Sequence, residues 1–296
     1  MSSIFDIPDA PAALAARRSD LNVLASQFAR IAVQAGATVM RVYEAGATAR
    51  LKPDSSPVCE ADELAEALIL AELRQLVPEI PVLAEEAASR GHKPLLDGRF
   101  LLVDPVDGTK EFLGRNGEFT VNIALIEQGV ARAGAVYAPA LAKLWFAGEQ
   151  AFACRIEAGA ALATAEDWRE LRTRAAPSEG LVVMASRSHK DATTEHYLAT
   201  LPVAERRSAG SSLKFCALAE GIADLYPRFG PTMEWDTGAG DAVLRAAGGV
   251  VLTPDGAELR YGKRDVEFRN GGFLAWGRAA DAAHFAARTR EAQAAS

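Results

Sequence analysis

The apolar spacing changes character twice along the chain. From Leu21 onward, Leu24, Phe28, Ile31, Val33 and Met40 recur mostly at helical intervals through "LNVLASQFARIAVQAGATVMRVYEAG", and Ser19 or Asp20 stands in the N-cap position. Residues 1–20 ahead of it, with "PDAPAALAARRSD", are expected to be a loose leader. A second helix is predicted from Glu60 to Leu76, stopped by Pro78, with a short buried strand from Ile80 to Leu83. At Phe100 the texture turns to strands. "FLLV", "FTVNIALI", "ARAGAVYAP", "KLWFAG" and "AFACRI", separated by Gly, Pro and Asn, predict a meandering sheet. A second strand set, "LVVMAS", "LPVAERRS", "ADLYPR", "GVVLTP" and "GFLAWG", alternates with helices predicted near 189–200, 211–220, 236–247 and 279–291. The expected fold class is therefore α/β (α+β), a layered sandwich of mixed sheets with helices packed between and outside. The alanine-rich segment 158–178, ending in "APSEG", marks the boundary between an N-terminal half (21–157) and a C-terminal half (179–296).

With 296 residues and 49% hydrophobic composition, the chain can bury a substantial core. Its net charge of -7 argues against stable nucleic-acid binding through a general basic surface, so any anionic ligand has to be held by a local basic pocket. Three cysteines, Cys59, Cys154 and Cys216, show neither CxxC nor Cys/His spacing, which removes a disulfide framework and a zinc site and fits a reducing cytoplasm. No apolar run reaches the roughly 18 residues of a membrane span. The composition is compatible with at most a weak peripheral membrane contact, and oligomeric state is left open.

The chemistry concentrates in "LVDPVDGTKEF". A plain reading of "DPVDGT" is a β-turn, with Pro105 setting φ and Asp107-Gly108 supplying the bend. The alternative comes from context. "FLLV" should deliver Asp104 at the carboxyl end of a buried strand that Pro105 prevents from continuing, and Asp107 then projects into the same small volume. Like charges so close require a cation, and hard oxygens without His or Cys select Mg²⁺ or Mn²⁺. The turn can also aim the Val106 carbonyl inward. "PVLAEE" ends another apolar strand in Glu85 and Glu86, of which Glu85 is the ligand candidate and Glu86 a solvated neighbour. "EWDTGAGD" places Asp236 at an expected helix N-cap, a position that serves capping or metal binding. The amides of Gly108 and Thr109 form a nest for a phosphoryl oxygen. Ser211, Ser212 and Lys214 begin a helix and could hold a second anion, although Lys214 could equally be a solvated helix residue; Arg228 is a comparable case with a rim role as its alternative.

"DPVDGT", the Glu of "AEE" and "WDTGAGD" resemble the signature of the inositol monophosphatase superfamily, lithium-sensitive Mg²⁺-dependent phosphatases. "GTKEF" with "RNGEFTVNIALI", and "GSSLKFC" followed by "LYPRFGPT", resemble its bacterial bisphosphate nucleotidase branch. The resemblance implies an inositol monophosphatase/sugar phosphatase-like sandwich. It implies two or three Mg²⁺ ions, Mn²⁺ substituting, on residues matching Glu85, Asp104, the Val106 carbonyl, Asp107 and Asp236, with Asp62 near the third ion. Thr109, with Glu85 and Asp62, would orient an activated water for in-line attack on a 3'-phosphate, without a covalent phosphoenzyme. Gly108, Thr109, Ser211, Ser212, Lys214, Arg228 and Asp236 would contact a bisphosphate nucleotide. Cys59, Ala84 and Asp241 depart from the pattern, where Thr, Ser and His are usual.

The four histidines, His92, His189, His196 and His284, have no sequence link to the acids, and His189 of "SRSH" is assigned a surface or capping role over substrate contact. Trp235 is assigned to packing. A sugar or inositol monophosphatase is the alternative enzyme, and a regulatory binding protein that lost catalysis the remote one. A cytoplasmic location, or a peripheral one on the cytoplasmic face of the inner membrane, is expected.

Overall fold

Period-two alternation in the central strands decides how the molecule is layered. The computed structural model describes residues 10–46, 50–51, 57–162, 167–186 and 191–294. Helix α1 (Ala10–Ala45), the short antiparallel pair β1 (Arg50–Leu51) and β2 (Pro57–Val58), and helix α2 (Glu60–Leu76) come first. Then β3 (Val82–Ala84) leads through the short helix α3 (Glu85–Ser89) into β4 (Arg99–Asp107), α4 (Thr109–Leu113), β5 (Thr120–Glu127), β6 (Val130–Ala138), β7 (Lys143–Ala147), β8 (Ala151–Arg155) and β9 (Arg169–Glu170). These strands form a seven-stranded sheet in chain order. It is antiparallel except for the β3–β4 pair.

One face of that sheet sends Leu101, Val103, Val121, Ile123 and Leu125 into a core with Phe28 and Ile31 of α1 and Ile69 and Leu73 of α2. The other face, through Phe100, Leu102, Ala124 and Ile126, packs on helices α6 (Leu213–Ala219) and α7 (Glu234–Ala246). Beyond these helices lies a smaller sheet. It is built from β10 (Leu181–Ser186), β11 (Val203–Ala209), β12 (Leu225–Arg228), β14 (Val250–Leu252) and β16 (Phe273–Trp276), in the order β11-β10-β12-β16-β14. A separate pair, β13 (Thr232–Met233) and β15 (Arg269–Asn270), flanks the start of α7. Helices α5 (Ala192–Ala199) and α8 (Ala279–Ala294) cover the outer face, where Leu198 and Phe285 meet Leu181, Val183 and Trp276. The expected layered sandwich, with helices between and outside mixed sheets, is what the chain forms.

Several local expectations are corrected. Helix α1 is already helical at Ala10 rather than capped at Ser19 or Asp20, because the alanine run has high helix propensity and nothing in it stops propagation. Pro105 does not end its strand: β4 continues to Asp107 because the register shifts between Asp104 and Asp107, and a bulge accommodates a residue with no N–H. Within the segment 158–178, β9 pairs with β8 at the edge of the larger sheet. His189 lies outside the described residues.

Helix α7 lies close to its neighbours because small residues face them. A Cβ on Gly240 would stand 2.5 Å from Cδ2, 2.7 Å from Cγ and 2.8 Å from Cβ of Phe215. Since the last of these is fixed to the α6 backbone, rotating the ring cannot clear the space. Gly240→Val is therefore expected to destabilise the fold by about 3 kcal/mol, the upper end of the overpacking range, as measured by denaturant unfolding. A variant as stable as the wild type would show that α6 and α7 can part without cost.

Candidate active site

The β4 bulge is where the site begins. Alternation carries Phe100, Leu102 and then Asp104 toward α7, and Asp104 is buried directly across from Asn122 of β5. Its Oδ1 accepts a 3.1 Å hydrogen bond from the Val106 amide, which folds the bulge back on itself. The register shift brings Asp107 opposite Thr120. Gly108 follows at φ 90°, a left-handed conformation that glycine adopts without strain. Helix α4 then starts, and the Thr109 hydroxyl donates to the Val106 carbonyl at 3.4 Å.

Three other elements converge on this corner. At the end of β3 the turn into α3 places Glu85 in the cleft, while Glu86 is turned inward and buried, its amide donating to Glu66 Oε2 at 2.7 Å. The expectation of a solvated Glu86 is thus corrected: α2 packs over that side of α3. Asp62 sits at N3 of α2, where its Oδ2 accepts from the Cys59 amide and thiol, both at 2.9 Å. Cys59 therefore fills the N-cap position with a thiol that burial, reinforced by Asp62, pushes up to about 12. Asp236 is also at N3, not at the N-cap, which is Met233; its Oδ2 accepts from the Met233 amide at 2.8 Å.

A cleft of about 300 Å³ is lined by Glu85, Asp107, Gly108, Thr109, Ser211, Lys214, Arg228 and Asp236 among others. Asp62, Asp104, Val106 and Ser212 do not line it and form its supporting floor. Burial first, then the charges of Glu85, Asp107, Asp236 and Asp62, hold the Asp104 carboxyl well above the usual carboxylate range. Asp236 is raised well above it by burial, Asp107 and Glu85, and Asp107 is raised by burial, with Ser211, Lys214 and Ser212 pulling the other way. Among the described residues no group of three or more His, Cys, Asp or Glu side chains is already set to hold an ion. Asp62, Asp104, Asp107 and Asp236 each direct one oxygen to a protein donor. The donor set still fits a hard divalent cation: all oxygen, mutually repelling, and without an imidazole.

The same cleft also carries cationic groups. Lys214 is buried, its ammonium donating to the Ser211 carbonyl at 2.6 Å and the Ala209 carbonyl at 3.1 Å, and resting 5.1 Å over the Tyr226 ring. Burial pushes its pKa down to about 8, against the pull of Asp107, so it remains charged at neutral pH. Arg228 donates at 3.3 Å to the carbonyls of Gly230 and Pro231, fixing the loop beside it. Ser211, at φ 51°, and Ser212 turn their hydroxyls toward Asp107 Oδ2, at 2.6 and 3.2 Å. Asp241 stands apart from the cleft, fully buried between Arg245 (2.7 Å) and the Tyr261 hydroxyl (3.0 Å), and Trp235 packs in the core.

A profile described as the inositol monophosphatase family matches residues 20–293. The chain belongs to that family. It is 45% identical over 249 residues to the 3'(2'),5'-bisphosphate nucleotidase CysQ of Salmonella typhimurium, covering 83% of this chain and 97% of that protein. Identity to the protein of the same name from Escherichia coli K12 is 44% over the same length. The crystal structure of CysQ from Bacteroides thetaiotaomicron, a bacterial member of the inositol monophosphatase family, matches with a TM-score of 0.72 at 37% identity, covering 86% of this chain and 97% of that one. The inositol monophosphatase of Anabaena shares the fold, with a TM-score of 0.67 at 22% identity over 88% of this chain and 92% of its own. The sandwich expected from the family resemblance is thereby shown. Members of this family are metal-dependent phosphatases, in keeping with the donor set. No helix among the described residues is long and apolar enough to cross a membrane.

Thr120 and Asn122 belong to the site's floor and were not singled out in the sequence. The only signal for them was two polar residues inside the apolar strand "FTVNIALI".

Because the folded pKa values of Asp104 and Asp236 lie above their unfolded ones, the protonated forms favour folding and the advantage is lost as pH rises through the raised values. Glu66, raised to about 7 by burial, acts in the same direction. In EDTA the melting temperature is expected to fall between pH 5 and pH 8, and divalent metal should reverse the fall. Asp104→Asn should raise the EDTA midpoint at pH 8 by about 2–6 °C. A midpoint that rises with pH in EDTA would refute the repulsion described above.

Proposed function

We propose that the chain is a Mg²⁺-dependent 3'(2'),5'-bisphosphate nucleotidase, hydrolysing adenosine 3',5'-bisphosphate to AMP and phosphate, and 3'-phosphoadenylylsulfate to adenylylsulfate. The observation that carries this reading is one cleft lined by two unlike sets of groups, the carboxylates Glu85, Asp107 and Asp236 and the cations Lys214 and Arg228. A monophosphate ester needs only the first, whereas a bisphosphate offers a second anion for the cations. The bacterial relatives from Salmonella typhimurium and Escherichia coli are 3'(2'),5'-bisphosphate nucleotidases, which supports the same choice of substrate.

In this reading Glu85, Asp104, the Val106 carbonyl, Asp107 and Asp236 hold two or three Mg²⁺ ions, for which Mn²⁺ can substitute. When bound, the ions supply Lewis-acid activation of water and neutralise charge developing on the phosphoryl oxygens. The chain's own groups do the rest. Thr109 commits its hydroxyl proton to the Val106 carbonyl, so a lone pair faces the attacking water. Glu85, assisted by Asp62, takes up the proton that the water gives away. The amides of Gly108 and Thr109 contact the transferred phosphoryl group. Lys214 and Arg228, beside Ser211, hold the remaining phosphate and set the 3'-ester over the carboxylates, while Asp236 faces the ribose side; Ser212, expected from the sequence to touch substrate, lies beneath the cleft with its hydroxyl turned to the protein. None of the described histidines lines the cleft, which speaks against a phosphohistidine, and direct attack by water without a phosphoenzyme is what the family resemblance implies. In the same reading the N-terminal half (21–157) is the metal-binding half, the C-terminal half (179–296) contributes Asp236 and the substrate contacts, and the location is cytoplasmic.

Phosphate release from adenosine 3',5'-bisphosphate and inositol 1-phosphate, measured side by side, tests it. The bisphosphate should be strongly preferred, EDTA should abolish turnover, and Asp107→Asn should abolish it with the fold intact. Lys214→Ala should lower kcat/KM for the bisphosphate by roughly 10–100-fold, the loss of about 1.5–3 kcal/mol from a charged hydrogen bond. Preference for the inositol ester would leave the carboxylate cluster its metal role and overturn the nucleotide assignment.

A further inference from the structure

The Asp107 carboxylate is held by a set of neutral side chains whose donors can be counted. Ser211 Oγ lies 2.6 Å from Asp107 Oδ2, Ser212 Oγ 3.2 Å and Asn122 Nδ2 3.4 Å, so all three polar atoms crowd the same oxygen. Behind them, Thr120 Oγ1 is 2.5 Å from Ser211 Oγ and 3.0 Å from Asn122 Oδ1. Ser212 Oγ also lies 2.9 Å from the Asp236 carbonyl and 3.1 Å from Asn122 Nδ2. Thr120, Asn122 and Ser212 are buried, so each proton must be accounted for within the protein.

Assigning protons to the shortest contacts first gives one arrangement, in which the 3.0 Å contact between Thr120 Oγ1 and Asn122 Oδ1 carries no proton because Thr120 has only one to give. Asn122 must present its amide nitrogen to Asp107, because its carbonyl oxygen beside a carboxylate oxygen would repel. Its two protons then serve Asp107 and Ser212 Oγ, which frees the single Ser212 proton for the nearer Asp236 carbonyl. The Ser211 proton is committed to Asp107 at 2.6 Å, so Thr120 has to be the donor in its short contact with Ser211. The result is a directed chain, Thr120 to Ser211 to Asp107, with Asn122 and Ser212 tying the same carboxylate to the start of α7. Ser211 is kept at φ 51°, unusual for a residue with a side chain, while Lys214 grips its carbonyl at 2.6 Å. With Oδ2 saturated, Oδ1 is the oxygen left for a cation.

We propose that Thr120 and Asn122 are positioning residues for the metal-binding carboxylate of Asp107, acting through Ser211 and Ser212. The inference rests on Asp107 being a metal ligand, as in the proposed function. Outer partners that orient metal ligands ordinarily change metal affinity by 10–100-fold when removed.

The test is Mn²⁺ binding to the full-length, substrate-free chain, followed by electron paramagnetic resonance of the free ion. Thr120→Val, isosteric but without the hydroxyl, and Asn122→Leu should each weaken Mn²⁺ binding about tenfold, while Thr120→Ser should bind close to wild type. Melting in EDTA shows that each variant is folded, and the Thr120→Val and Thr120→Ser pair decides the matter if Asn122→Leu does not fold. Folded Thr120→Val with wild-type Mn²⁺ affinity overturns this inference and leaves the metal assignment standing. A wild type whose Mn²⁺ binding is indifferent to Asp107→Asn overturns both.

Discussion

Repulsion among carboxylates that the fold refuses to separate governs the region around the cleft. Asp104 is buried beside Glu85, Asp107, Asp236 and Asp62, and all four oppose its ionisation in addition to burial itself. Such a cluster persists only if the surrounding structure over-determines it, and the stability it forgoes without a cation is the source of its affinity for one. The protein supplies that over-determination with main-chain donors: the amides of Cys59, Val106 and Met233 each hold one acid. Two of these acids sit at the third position of a helix, where a carboxylate also meets the positive end of the helix dipole.

Bringing the acids together depends on α7 lying tightly between the two sheets. Its "TGAGDA" run keeps side chains small where the helix meets β4, β5, β6 and α6, and Gly240 permits an approach to Phe215 that any Cβ would prevent. The same closeness lets Ser212 reach both the Asp107 carboxylate and the Asp236 main chain. Packing and chemistry are therefore coupled at this helix. A change that lifts α7 from the sheet also moves a carboxylate away from its partners.

The basic lining is built by a different principle. Lys214 is buried, yet it keeps its charge near neutrality because two carbonyls and the Tyr226 ring solvate its ammonium in place of water. It lines the same cleft as Glu85, Asp107 and Asp236, which thereby joins acidic and basic groups. Arg228, whose guanidinium braces the loop at Gly230 and Pro231, adds charge at the outer side.

Periodicity by itself determined the longer elements, because the buried strands and amphipathic helices carry their own spacing: α2 runs from Glu60 to Leu76 as expected, and the meander from Thr120 to Arg155 is legible in its apolar runs and turn residues, whereas short pieces such as α3, α4, β9, β13 and β15 left no such mark. The residue types of "DPVDGT", "AEE" and "WDTGAGD" likewise named the acids that the cleft assembles. What only the tertiary structure decided are relations between distant segments. Spacing could not show that β4 passes through Pro105 on a bulge, that Glu86 turns inward against α2, or that Asp236 is an N3 residue capped to Met233. Nor could it show that Thr120 and Asn122 reach serines 90 or 91 residues away to brace Asp107. A hydrogen bond across such a distance leaves no periodic trace in a single chain, since either partner alone reads as an ordinary polar residue in its strand or turn.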